Sequence, residues 1–111
     1  MLVKISSAAL VGIEAYFVEV EVDISGGLPG FVTVGLPDAA IRESQDRVRA
    51  ALKNCGYEFP ARKLTINLAP ADRRKEGSSF DLPICLGLLA FLGVVPQERL
   101  KDHLFLLSFH R

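Results

Sequence analysis

At 111 residues the chain fits one domain and leaves no room for two cores. Thirteen Lys and Arg balance thirteen Asp and Glu, which excludes a module that grips nucleic acid by bulk charge, although local clusters can still do so. Half of the residues are apolar, so disorder is excluded, and a chain this long buries about two-thirds of its unfolded surface without metal or disulfide staples.

Residues 2–10 read as a first strand, with Val3 and Ile5 alternating against Lys4 and Ser6, and Gly12 punctuates it. Over residues 15–24 the alternation is clear. Tyr16, Val18, Val20, Val22 and Ile24 share one face, while Phe17, Glu19, Glu21 and Asp23 share the other. A strand with an acidic face belongs to an antiparallel hairpin with that face in water. The period of two sets Glu19, Glu21 and Asp23 side by side as metal ligands would be, but no histidine joins them, so a solvated face is the better reading. Residues 25–30 form a turn by composition, and residues 31–34 a short β-branched third strand.

Asp38 is placed to cap a helix over residues 39–54. Ile41, Val48, Ala51, Leu52 and Cys55 fall on its inner side, and Arg42, Glu43, Asp46, Arg47, Arg49 and Lys53 on its outer side. Glu43–Arg47 and Arg42–Asp46 have i,i+4 spacing, which makes this face salt-bridged and solvated rather than a phosphate surface. Gly56 stands where a left-handed residue ends a helix, and Tyr57 and Phe59 are expected to tuck under the sheet.

Arg62 and Lys63 lead into a fourth strand, in which Leu64, Ile66 and Leu68 alternate with Thr65, Asn67 and Ala69 until Pro70 ends it. Residues 71–77 are a charged loop whose Arg73-Arg74-Lys75 run is flanked by Asp72 and Glu76. A second helix follows. Ser78, Ser79 or Asp81 could cap it, and Pro83 suits a first-turn position, which favours Asp81 or a cap just before it. Residues 84–92 are apolar nearly all round, so this helix is expected to be buried on several sides. Residues 104–107 read as a last strand. The order β-β-β-α-β-α-β predicts an α+β fold, a two-layer α/β sandwich with helices on one face of a mainly antiparallel sheet.

Cys55 and Cys85 form no C-x-x-C pair, and no signal peptide opens the sequence, so two reduced cysteines in a cytoplasmic protein are expected. The longest apolar stretch, residues 82–95, is too short and too interrupted by glycine to span a bilayer, and no membrane contact is expected. The sequence contains no G-x-x-x-x-G-K-[ST] and no G-x-G-x-x-G. Its histidines are His103 and His110, both in the terminal segment, which disfavours a Ser-His-Asp triad.

What remains is Lys75-Glu76-Gly77-Ser78-Ser79 ahead of a helix. A serine there could be a nucleophile activated by a buried lysine, with backbone N–H groups as oxyanion donors. The same N–H groups could hold a phosphate, with Arg73, Arg74, Lys75, Gly77 and Ser78 as contacts. The spacing from Ser78 to Asp81 also suits an ordinary capping turn, the commonest use of that pattern. Arg62, Lys63, Arg73, Arg74 and Lys75 together are a candidate DNA-contacting set. No metal ligands are assigned.

Three runs carry a family resemblance: G-L-P-G-F-V-T-V-G-L-P-D (27–38), R-E-S-Q-D-R-V-R-A-A-L (42–52) and N-L-A-P-A-D-R-R-K-E-G-S-S-F-D-L-P-I (67–84). In collinear order they resemble the amino-terminal domain of the ComM/YifB family of magnesium-chelatase-like AAA+ ATPases, over residues 1–107. The resemblance implies a fold like ribosomal protein S5 domain 2, shared with the proteolytic domain of Lon, with a left-handed β-α-β crossover against the general preference. It also implies a partner within the same full-length protein, an AAA+ module that carries ATP and Mg²⁺. The parent is then expected to be a hexameric motor on DNA, a helicase or branch-migration enzyme of natural transformation or DNA processing.

Laid on the catalytic loop of Lon, residues 75–79 put Ser79 at the nucleophile's position. Lon's lysine partner follows a further strand, beyond residue 111. Ser79 therefore reads as a relic of the shared fold, and a Lon-like serine hydrolase is the alternative to a non-catalytic accessory domain. Residues 108–111, Ser108-Phe109-His110-Arg111, depart from the family's continuation and are expected to mark a truncation before the AAA+ module.

Overall fold

The computed structural model describes residues 1–11, 14–70, 75, 80–101, 103 and 105. Strands β1 (Leu2–Val11) and β2 (Glu14–Ser25) pair as an antiparallel hairpin in which Val3 faces Val22 and Ile5 faces Val20. The period of two sorts the side chains as the sequence requires. Val3, Ile5, Val18, Val20, Val22 and Ile24 are buried on one face. On the other, the Lys4 ammonium lies 3.8 Å from Glu19 and 3.7 Å from Glu21, so two of the three acids flank a cation in water.

Two further strands complete the sheet. Strand β3 (Gly30–Val34) pairs in parallel with β4 (Lys63–Ala69), and β4 pairs antiparallel with β2, giving the order β1-β2-β4-β3. Strand β4 buries Leu64, Ile66 and Leu68 beside β2, and Pro70 follows its last residue through a cis peptide.

The helix expected over residues 39–54 is two helices, α1 (Ala39–Arg42) and α2 (Ser44–Asn54), separated at Glu43. Asp38 caps the first, its Oδ1 accepting from Ile41 N at 2.9 Å. The buried line is Ile41, Ser44, Val48 and Leu52, whereas Ala51 and Cys55, expected inside, are exposed. A stripe stepping by three, four and four residues follows the helix period, and both corrected residues lie beside it. Gly56 (φ +87°) ends α2 as a left-handed C′ residue, with Tyr57 N on Leu52 O at 2.9 Å and Gly56 N on Lys53 O at 3.0 Å, the Schellman pairing.

Helix α3 (Asp81–Phe91) contains no fully exposed residue and packs against β1, β2 and α2. Gly87 permits this approach, since a Cβ there would lie 2.6 Å from Val22 Cγ2. Phe80, just before Asp81, holds the cap position but offers no side-chain hydrogen bond. A 3₁₀ turn (Gln97–Leu100), which sequence periodicity does not announce, buries Leu100 and reaches β1 through Gln97 Nε2 on Leu2 O at 3.1 Å.

Of the strand expected over residues 104–107, only residue 105 is among those described. Phe105 N donates to Ser6 O at 2.9 Å and Ser7 Oγ donates to Phe105 O at 2.8 Å, which places it along β1. The result is a mixed α+β fold with the helices over one face of a four-stranded sheet. No described helix is long and apolar enough to cross a membrane.

Candidate functional site

Several long-range ties gather where the β3–α1 turn meets residue 75 and the start of α3. After β3 the chain takes two successive left-handed residues, Gly35 (φ +111°) and Leu36 (φ +54°). Gly35 has no room for a side chain, because a Cβ would stand 2.2 Å from Leu68 O. This reversal points the Leu36 carbonyl at Lys75. Lys75 N donates to Leu36 O at 2.9 Å and Asp38 N donates to Lys75 O at 3.0 Å, forming an isolated parallel bridge. The Lys75 side chain is fully buried and its Nζ donates to Pro70 O.

A second tie joins the helices. Arg47 Nε reaches Asp81 Oδ2 at 2.5 Å and Nη2 reaches Asp81 Oδ1 at 3.1 Å, a two-pronged pair, and Nη2 also donates to Ala40 O. The hydrogen bond it donates to Asp81 holds the Arg47 guanidinium even more firmly protonated than usual. Arg47 therefore turns to a carboxylate 34 residues away in sequence rather than making its strongest contact with Glu43 at i,i+4. Asp81 spends its carboxylate on that arginine instead of capping its own helix.

These placements bear on the sequence-derived candidates. Lys75 was expected to meet phosphate or DNA, and its buried ammonium does not present itself to solvent. It is turned instead to the Pro70 carbonyl. Arg73, Arg74, Gly77, Ser78 and Ser79 lie outside the described residues. Arg62 and Lys63 are both exposed at the start of β4. Among the described residues, no group of three or more His, Cys, Asp or Glu could hold a metal ion. Cys55 and Cys85 are free thiols, and burial pushes the Cys85 thiol upward.

A different feature went unannounced by the sequence, a cleft of about 230 Å³ lined by residues that include Gln45, Arg49, Phe59, Pro60 and Arg62. The Arg49 guanidinium sits 4.3 Å from the Phe59 ring centre, and Phe31 packs against Phe59 at 6.3 Å between ring centres. Phe59 is thus half-buried as expected of a tucked aromatic, whereas Tyr57 is exposed. Spacing could not have revealed the cleft, because its cations come from α2 and from the approach to β4.

Comparison with known proteins places this geometry in a family context. Residues 20–108 match the family described as subunit ChlI of Mg-chelatase. The chain is 48% identical over 99 residues to competence protein ComM of Haemophilus influenzae, covering 89% of this chain and 19% of that protein. It is 55% identical over 99 residues to the uncharacterised protein YifB of Escherichia coli K12, covering 89% of this chain and 20% of that protein. The chain thus spans about a fifth of the length of the curated relatives it matches.

Proposed function

The chain belongs to the magnesium-chelatase ChlI family and matches the amino-terminal domain of its ComM/YifB members, and from that premise we propose that it is a non-catalytic accessory domain of an AAA+ ATPase. One observation carries this reading. A collinear match over nearly the whole chain occupies a fifth of each relative, and the sequence holds no nucleotide-binding motif of its own. The ATP and Mg²⁺ chemistry then resides in an AAA+ module of the full-length protein, which is this domain's first partner.

The domain's work is assembly of that motor, as a hexamer, or positioning of DNA on it, in the cytoplasm. The name of the Haemophilus relative, a competence protein, supports a parent that processes DNA during natural transformation. The ties of Lys75 to Pro70 and Leu36, and of Arg47 to Asp81, suit such a role, since they join the β3–α1 turn to residue 75 and α2 to α3.

The purified chain should hydrolyse no ATP in the presence of magnesium and DNA. It should also resist a serine-reactive fluorophosphonate. Magnesium-dependent ATP turnover would overturn the accessory reading, and labelling that vanishes in Ser79→Ala would replace it with the Lon-like hydrolase.

A further inference from the structure

The cleft between α2 and the start of β4 combines features that a structural surface does not need. Arg49 is exposed, yet its guanidinium carbon lies over the Phe59 ring, itself backed by Phe31. A guanidinium held over a ring has less rotational freedom to lose on binding. Arg62 stands on the same cleft, and its backbone is fixed by Gly30 N donating to Arg62 O at 3.3 Å. Lys53, one turn beyond Arg49, and Lys63, next to Arg62, are exposed nearby. The acids closest in sequence are Asp46 and Glu58, both exposed, and neither lines the cleft.

Two guanidinium groups on one cleft match a phosphate, which each can meet with paired N–H donors. A stacked arginine also offers a π-face to a nucleobase. The cleft is open, carries no glycine-rich phosphate cradle and holds about 230 Å³, smaller than the usual range for pockets that enclose a small ligand. Such a space suits one unit of a continuing strand rather than a captured mononucleotide. We propose that the Arg49–Phe59–Arg62 cleft binds single-stranded nucleic acid, taking one phosphate between the two arginines with the adjoining base stacked on Arg49. This rests on the DNA-positioning form of the accessory reading, and it moves the contact away from the Arg73-Arg74-Lys75 loop.

The test is fluorescence anisotropy of labelled oligothymidylate with the whole chain, over a range of salt concentrations. Arg49→Gln and Arg62→Gln should each weaken binding about tenfold at low salt, and the double variant should lower the slope of log affinity against log salt by about one, the share of a single phosphate. Arg49→Lys should lose affinity while keeping the salt slope, because it retains charge and loses the planar guanidinium. Lys101→Gln, an exposed cation elsewhere, should bind as the parent does. Thermal melts of each variant check that the fold is intact. If the parent binds and the cleft variants match it, the cleft is overturned while DNA positioning survives through another surface. No binding by the parent at low salt overturns both. Displacement by polyglutamate as effective as by unlabelled oligothymidylate would make the cleft a receptor for acidic polymers and overturn the nucleic-acid assignment.

Discussion

A lysine with no exposed surface must bring its ammonium to oxygen atoms inside the protein, since an unmatched charge there is far too costly. Lys75 does so at Pro70 O, while its own backbone bridges Leu36 and Asp38. Its four-carbon stem fills space that smaller residues would leave empty. Replacement by alanine should therefore destabilise the fold by about 2 kcal/mol or more, read by chemical denaturation, through a lost hydrogen bond and a cavity. A surface cation would change stability by no more than about 0.5 kcal/mol. Lys75→Met, which keeps most of the volume, should fall between the two. In the sequence, Lys75 is one of three consecutive basic residues, and composition gives no sign that it turns inward. The left-handed Gly35-Leu36 turn, two helices and one strand earlier in the chain, receives its backbone at Leu36 O.

At the scale of elements, strands were legible because their period of two is fixed by the backbone. Leu64, Ile66 and Leu68 alternate in sequence and are buried in the sheet. The helix break at Glu43 was not legible, since no glycine or proline marks it; the apolar pattern continues across it through Ile41 and Val48. The Arg47–Asp81 pair was illegible for another reason, that its partners meet only after α2 and α3 pack together. Asp81 is more enclosed than Arg47, so the pair should exceed an ordinary surface bridge without reaching a buried one. A double-mutant cycle on Arg47→Ala and Asp81→Asn should give a coupling of about 1 kcal/mol in unfolding free energy. A coupling near zero would mean that the two helices are held by apolar packing alone.

For the whole molecule, the sheet order puts β4 between β2 and β3, so the α1–α2 segment must cross over to bring β4 in parallel beside β3. That layout gathers the described helices on one face and leaves Lys4, Glu19 and Glu21 on the other. It also carries Arg62 to the side of the domain where Arg49 stands, which makes the cleft a product of topology. The signature runs at residues 27–38, 42–52 and 67–84 were sufficient to indicate the family from sequence, because they supply the turn, the arginine and the aspartate that tie the fold. The cleft takes Gly30 and Arg49 from two of those runs and Phe59 and Arg62 from outside them, so it needed the fold. If this domain serves a motor rather than catalysing a reaction, its effect belongs in the motor's response to DNA. The decisive measurement is magnesium-dependent ATP hydrolysis by full-length YifB of Escherichia coli and by the same protein lacking the segment matched here, each with and without single-stranded DNA. The account predicts that the shortened protein keeps basal hydrolysis and loses the DNA-dependent part. Identical DNA dependence in the two proteins would contradict it.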